Sequence, residues 1–159
     1  MEMEVEPQTG GDASARETER YLHDRIPLSK SMQVSVVSVD GTGVLLAAPL
    51  APNVNHRGTV FGGSASGLAM IACWTLIHLR LRSLPFETAL VIRRNSVEYF
   101  APLPADFEAL AHAPEKESWD RFLAALAEEG KGRLDLTADI RCRGEQAGRF
   151  TGEYAARKV

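Results

Sequence analysis

The groups that could do chemistry in this chain gather in one run, Asn55-His56-Arg57-Gly58-Thr59-Val60-Phe61-Gly62-Gly63-Ser64. Gly62 and Gly63 stand where a polar, Gly-rich stretch becomes almost continuously apolar. The first amides of a helix starting there lack internal partners and carry the positive end of the helix dipole. Two glycines let a ligand come close to those amides, so the pair suits an anion, or a carbonyl oxygen that becomes one. Ser64 could add a third amide. The pair equally suits a tight turn into the helix. The Asn55 side-chain amide can donate to a carbonyl or carboxylate or orient a water, or it can bond its own loop. His56 could serve as an acid or base, although a loop histidine is more often simply solvated. Ser64 has no His–acid relay to make it a nucleophile and reads as a helix-start residue.

The element that must position these groups is a helix over about Ser64–Arg82. From Ala65 to Leu79 only Ser66, Thr75 and His78 carry polar side chains. The run is too long for a typical strand, and at 1.5 Å per residue it spans roughly 28 Å. Apolar on every side, it should be surrounded by other elements rather than laid on a surface. A membrane span is the competing reading, and Arg80 and Arg82 close the run too early for it.

The flanking sequence supplies a sheet. Met32, Val34 and Val36 alternate with Gln33 and Ser35, Asp40-Gly41-Thr42-Gly43 is turn chemistry, and Val44–Ala48 returns as the second strand of a hairpin. After Pro85, strands are expected over Thr88–Phe100, Asp106–Ala113, Leu134–Cys142 and Ala147–Arg157. An amphipathic helix over Glu115–Glu129 interrupts them, with Trp119, Phe122, Leu123 and Leu126 as its apolar stripe. Ser14 and Glu17 form a capping-box pattern that would start a short helix running to about Arg25, where Pro27 stops it. Residues 1–13 read as a disordered tail and 14–159 as one domain. Crossovers for a parallel βα repeat are absent, so the expected fold is α+β: a curved, mostly antiparallel sheet wrapped around one long apolar helix.

Composition bounds the function. The chain has 159 residues, 45% of them hydrophobic, and a net charge of −3, which gives no electrostatic case for nucleic acid. Cys73 and Cys142 have no metal-ligand spacing and read as reduced core residues. No apolar segment of the signal-peptide kind opens the chain, so a cytoplasmic protein is expected. Arg80, Arg82, Arg93 and Arg94 form two basic pairs in an otherwise acidic chain; they could receive phosphates or an acidic partner, or be plain solvated surface.

The order of elements, and Asn55-His56-Arg57-Gly58-Thr59-Val60-Phe61-Gly62-Gly63 running into an apolar helix, resemble the hotdog fold of the thioesterase/dehydratase superfamily. Many of its thioesterases carry Asn-x-x-Gly-Thr-x-His-Gly-Gly there. Phe61 in place of His, the Ile26-Pro27-Leu28-Ser29 lead-in and the inserted helix point to a narrower group. Its members are similar to the C-terminal domain of certain bacterial acetyltransferase fusions, and some have been associated with decarboxylation of malonyl-acyl carrier protein. The resemblance implies a homodimer, or a dimer of dimers, with acyl-thioester sites at the subunit interface. It implies no cofactor beyond the substrate's own phosphopantetheine, and acyl carrier protein or coenzyme A as partner. It makes Asn55, Gly62 and Gly63 the catalytic candidates and His56, Phe61, Ser64, Asn95 and Ser96 substrate-binding ones. The two arginine pairs become candidate contacts for the carrier or the coenzyme A phosphates.

One expected group is missing. Many hotdog thioesterases place Asp or Glu on the central helix about two turns beyond Gly-Gly, where this chain has Met70 and Ile71, and no acid occurs between Asn53 and Arg82. Hydrolysis needs a base or a carboxylate nucleophile; Glu87 and Glu98, from a partner subunit, are the nearest acids in sequence. Decarboxylation of a malonyl thioester asks only for enolate stabilisation and an apolar pocket. It is therefore placed narrowly ahead of hydrolysis, with a non-catalytic acyl-thioester-binding module as the alternative of a different class.

Overall fold

The computed structural model describes residues 10–159; the tail expected over residues 1–13 therefore lies outside the described residues as far as residue 9. Helix α1 covers Gly10–Arg25 and α2 covers Pro27–Ser31. The hairpin strands are β1, Ser35–Asp40, and β2, Gly43–Ala48. The long helix α3 is Gly62–Leu81, followed by β3, Thr88–Tyr99, and β4, Phe107–His112. Helix α4 is Lys116–Glu129, and the chain closes with β5, Lys131–Cys142, and β6, Glu145–Lys158.

The six strands form one antiparallel sheet in the order β1-β2-β4-β5-β6-β3. The chain leaves β2 near one edge, runs through α3, and re-enters at β3 on the other edge. Alternation explains the pairing. Leu134, Leu136, Ala138 and Ile140 of β5 are buried while Asp135 and Thr137 are exposed, so one face of the sheet is apolar and receives α3. Leu68, Ala69, Ala72, Cys73 and Ile77 of α3 are wholly buried against that face, where Phe107, Phe150 and Tyr154 fill the space. A side chain such as Leu68 or Ile77 contributes about 1.5–3 kcal/mol by its burial. The Tyr154 hydroxyl donates to the Met70 carbonyl at 2.7 Å, tying helix to sheet. This is the hotdog arrangement the resemblance implies.

Three local readings need correction and one, at Pro27, is extended. Helix α1 starts at Gly10, not Ser14, so Ser14 lies inside the helix and its carbonyl accepts from the Thr18 hydroxyl; the capping-box pattern does not mark the start. Pro27 does end α1, but it also opens α2 as a first-turn residue, where its missing N–H costs nothing. The turn that follows this short helix takes up Met32 and Gln33, and β1 begins only at Ser35, although Met32, Val34 and Val36 are buried as the alternation requires. Finally, α3 is not covered on every side. Gly63, Gly67, Met70, Trp74 and His78, spaced three or four apart, form a partly exposed stripe along it.

Two turns complete the fold. Helix α4 buries Phe122 and Leu126 and ends at Gly130 with φ +77°. The β5–β6 turn has positive φ at both Arg143 and Gly144, the geometry of a two-residue hairpin loop.

Candidate active site

The site is built on the loop between the short 3₁₀ turn Ala51–Asn53 and α3. Asn53 is buried at the loop's root, its side-chain amide donating to the carbonyls of Met32 at 2.9 Å and Pro49 at 2.8 Å. Val54 and Val60 form an isolated antiparallel bridge, and the Asn55 N–H donates to the Thr59 carbonyl at 2.7 Å. The loop reverses through Gly58, whose φ of +78° favours glycine. The Val60 N–H donates to the Leu103 carbonyl at 2.9 Å, and the Phe61 N–H to the Asn53 carbonyl at 2.7 Å. The start of α3 is thus fixed by main-chain bonds to two other segments.

Phe61 is the N-cap residue and makes no side-chain cap. Its carbonyl accepts the Ser64 and Ala65 amides at 2.9 and 3.1 Å. The Gly62 and Gly63 amides have no partner among the described residues. The pair of free donors expected at the glycines is therefore present. Ser64 corrects its reading twice: its amide is already used, and it stands in the third helical position, not at the cap. A neighbour also explains Gly63, whereas Gly62 leaves room for a Cβ at ordinary contact distance. A Cβ on Gly63 would overlap the Phe61 ring, and one on Gly62 would sit 3.4 Å from the Tyr99 hydroxyl oxygen.

Asn55 is present in the loop, but its side chain is committed locally. Its amide nitrogen donates to Thr59 Oγ1 at 2.9 Å and to the Val60 carbonyl at 3.3 Å, and its oxygen accepts the Arg57 and Thr59 amides at 2.8 and 3.2 Å. In this state it organises the loop that carries the glycines. It also borders a cavity of about 390 Å³, with Thr59, Val60, Tyr99, Phe100 and Leu103. The surround is apolar and open: Val54, Phe61, Tyr99 and Phe100 are each about half exposed. His56 projects from the same loop, exposed and without a hydrogen bond among the described residues.

Tyr99 was not among the residues expected from sequence. It ends β3 opposite Gly148, on the sheet face that receives α3, and its hydroxyl donates to the Gly62 carbonyl at 2.7 Å. A tyrosine at the end of a strand whose second half is mostly polar carries no sequence signal for this; only the strand register brings it to the helix.

The other candidates lie elsewhere in the chain. Asn95 pairs with Gly152 on the helix side of β3, while Ser96 pairs with Thr151 on the opposite face; both border a separate small cavity with Arg94 and Glu153. Arg93 donates to Glu153 Oε1 at 2.6 Å, and Arg94 and Arg133 approach the same carboxylate at 3.7 and 4.0 Å. Arg80 stacks its guanidinium over Trp119 at 5.0 Å, and Arg82 stands 3.9 Å from Glu17. Both arginines lie at the far end of α3 from Gly62, roughly 27 Å away along the helix. Of the two acids, Glu98 pairs with Arg149 on the sheet face away from α3, and Glu87 precedes β3 at the opposite end from Tyr99. Within the chain neither reaches the glycines.

Two titratable groups of α3 are perturbed. Burial, then the charge of Arg82, lowers the affinity of His78 for its proton; its ring lies between Tyr21 and Trp74, at centroid distances of 4.7 and 4.6 Å. Burial pushes the Cys73 thiol far above its ordinary range, so it is no nucleophile. Cys73 and Cys142 are both free and buried.

Known structures resemble this chain over nearly its whole length. A Chlorobaculum tepidum TLS protein of unknown function is 29% identical, with a TM-score of 0.86 over 93% of this chain and 96% of its own. A Shewanella oneidensis protein described as a putative thioesterase is 24% identical, with a TM-score of 0.80 over 92% of this chain and 99% of its own. A Haemophilus influenzae thioesterase shares the fold at 10% identity, with a TM-score of 0.70 over 91% of this chain and 90% of its own. Residues 15–158, from within α1 to the end of β6, match one family throughout, and the chain belongs to that family, described as "Putative thioesterase (yiiD_Cterm)".

Proposed function

We propose that the protein acts on acyl thioesters at the start of α3, and that its preferred reaction is decarboxylation of a malonyl thioester to an acetyl thioester. The observation that carries this reading is the pair of amides at Gly62 and Gly63, which among the described residues bond no carboxylate or other partner and stand in an apolar surround. The thioester oxygen accepts from both amides. The bond between the methylene carbon and the carboxylate then breaks, CO2 leaves, and its electron pair forms an enolate whose negative oxygen the amides hold. A proton from water reaches the carbon and gives the acetyl thioester. Donors of this kind each contribute about 3–4 kcal/mol in a transition state. An apolar pocket disfavours the bound carboxylate relative to the neutral CO2 it becomes.

Hydrolysis at the same amides is the second reading, favoured by the family to which the chain belongs. It needs a base that a second subunit would bring. A homodimer is supported by β3, a twelve-residue edge strand that among the described residues pairs with β6 alone, and by the open stripe on α3. The carrier is acyl carrier protein or coenzyme A. Arg93 and Arg94, gathered with Arg133 around one carboxylate, are the better placed arginines to meet its acidic or phosphate groups. Buried free cysteines suit a reducing, cytoplasmic setting.

Intact-mass measurement of malonyl-, acetyl- and long-acyl carrier protein after incubation with the enzyme separates the readings. Conversion of malonyl to acetyl with the others untouched is the expected result. Release of free thiol carrier would replace decarboxylation with hydrolysis. Inertness of all forms, coenzyme A thioesters included, would leave a binding module.

A further inference from the structure

The free amides are not isolated groups, because the Gly63 N–H belongs to the same planar peptide unit as the Gly62 carbonyl. That carbonyl accepts the Tyr99 hydroxyl at 2.7 Å, in addition to the ladder bond a helix provides. A donor on the carbonyl draws electron density toward oxygen and leaves the N–H of the same unit more positive, so successive hydrogen bonds strengthen one another. The Tyr99 ring also covers the Gly62 Cα, as the 3.4–3.5 Å approach of a Cβ there to its hydroxyl oxygen and Cζ shows. The contact joins the end of the edge strand β3 to the first turn of α3, through two residues that the sequence separates by 37 positions.

We infer that Tyr99 is a positioning residue. Through its bond to the Gly62 carbonyl it orients and polarises the peptide unit whose N–H, at Gly63, holds the developing oxyanion. The inference rests on the oxyanion reading of the Gly62 and Gly63 amides. Tyr99 acts through that peptide and forms no bond to the reacting atoms. Removing only its hydroxyl therefore weakens transition-state binding while leaving the ring to line the pocket.

The test compares wild type with Tyr99→Phe on the thioester that the intact-mass assay identifies, together with the ¹H–¹⁵N cross-peak of Gly63. The expected result is a kcat lower by about 3- to 10-fold, the size of one neutral hydrogen bond, with KM little changed. The Gly63 cross-peak should move upfield while those of the α3 interior stay in place. An unchanged kcat, or a raised KM alone, would overturn the inference, since the ring would then be only a pocket wall. An unmoved Gly63 cross-peak would overturn it whatever the kinetics. A wild-type protein inert on every thioester would overturn the oxyanion reading and the catalytic role of Tyr99 with it. The cross-peak would then still decide, separately, whether the hydroxyl bonds the peptide.

Discussion

Replacing Asn55 by alanine should lower stability, because the side chain braces its own loop. It makes four hydrogen bonds, two as donor to Thr59 Oγ1 and the Val60 carbonyl and two as acceptor from the Arg57 and Thr59 amides. Neutral hydrogen bonds contribute about 0.5–1.5 kcal/mol each, but the Arg57 bond is exposed and the 3.3 Å bond to Val60 is long. Water replaces part of what is lost, leaving about 2 kcal/mol. For a chain of 159 residues that corresponds to a fall of about 4–8 °C in Tm. Asn55→Asp keeps both acceptor bonds, and the Thr59 hydroxyl can turn to donate instead; only the Val60 carbonyl then faces a carboxylate. That variant should fall between wild type and Asn55→Ala. The assay is thermal unfolding at one fixed protomer concentration, because subunit association makes Tm depend on concentration. An Asn55→Ala protein that melts with wild type yet has lost turnover would refute the reasoning. The side chain would then be spent on substrate and not on the loop.

His78 gives a pH dependence. Its folded proton affinity is lowered, so between the folded and unfolded values the unfolded chain holds more protons, and stability rises with pH through that window. Wild type should therefore lose stability as pH falls from about 6.5, and His78→Phe, which keeps a ring between Tyr21 and Trp74, should lose less in urea titrations at pH 7 and pH 5. Gly63→Ala should reduce turnover because its methyl overlaps the Phe61 ring. In steady-state kinetics the Gly63→Ala/Phe61→Ala pair should recover part of that loss, and no recovery would place the obstruction in the backbone.

Much of the fold was legible because burial on one face writes a period of two. β5 shows it, with Leu134, Leu136, Ala138 and Ile140 inward and the polar residues between them outward. Helix α3 was legible as a helix, but its open side was not. Gly63 and Gly67 carry no side chain to break the apolar run, and Trp74 and His78 are partly hidden by stacking, so composition looks uniform around the axis. Pro27 signals both an end and a beginning, and only the chain path shows that it does both. Around the site, Gly62, Gly63 and Asn55 were legible as local chemistry. Tyr99 was not, since its place depends on pairing with β6 more than 45 positions later, and its partner is a main-chain carbonyl that no side-chain pattern can reveal.

The bonds that fix the first turn of α3 run between peptide groups: Phe61 to Asn53, Val60 to Leu103 and Asn55 to Thr59. Within the loop the Asn55 side chain reinforces them, and the other displayed side chains do not. His56, Arg57 and Phe61 are exposed and make no side-chain hydrogen bonds among the described residues, so mutation can exchange them while the two donor amides keep their places. The two amides can therefore hold their geometry while the side chains displayed around them change.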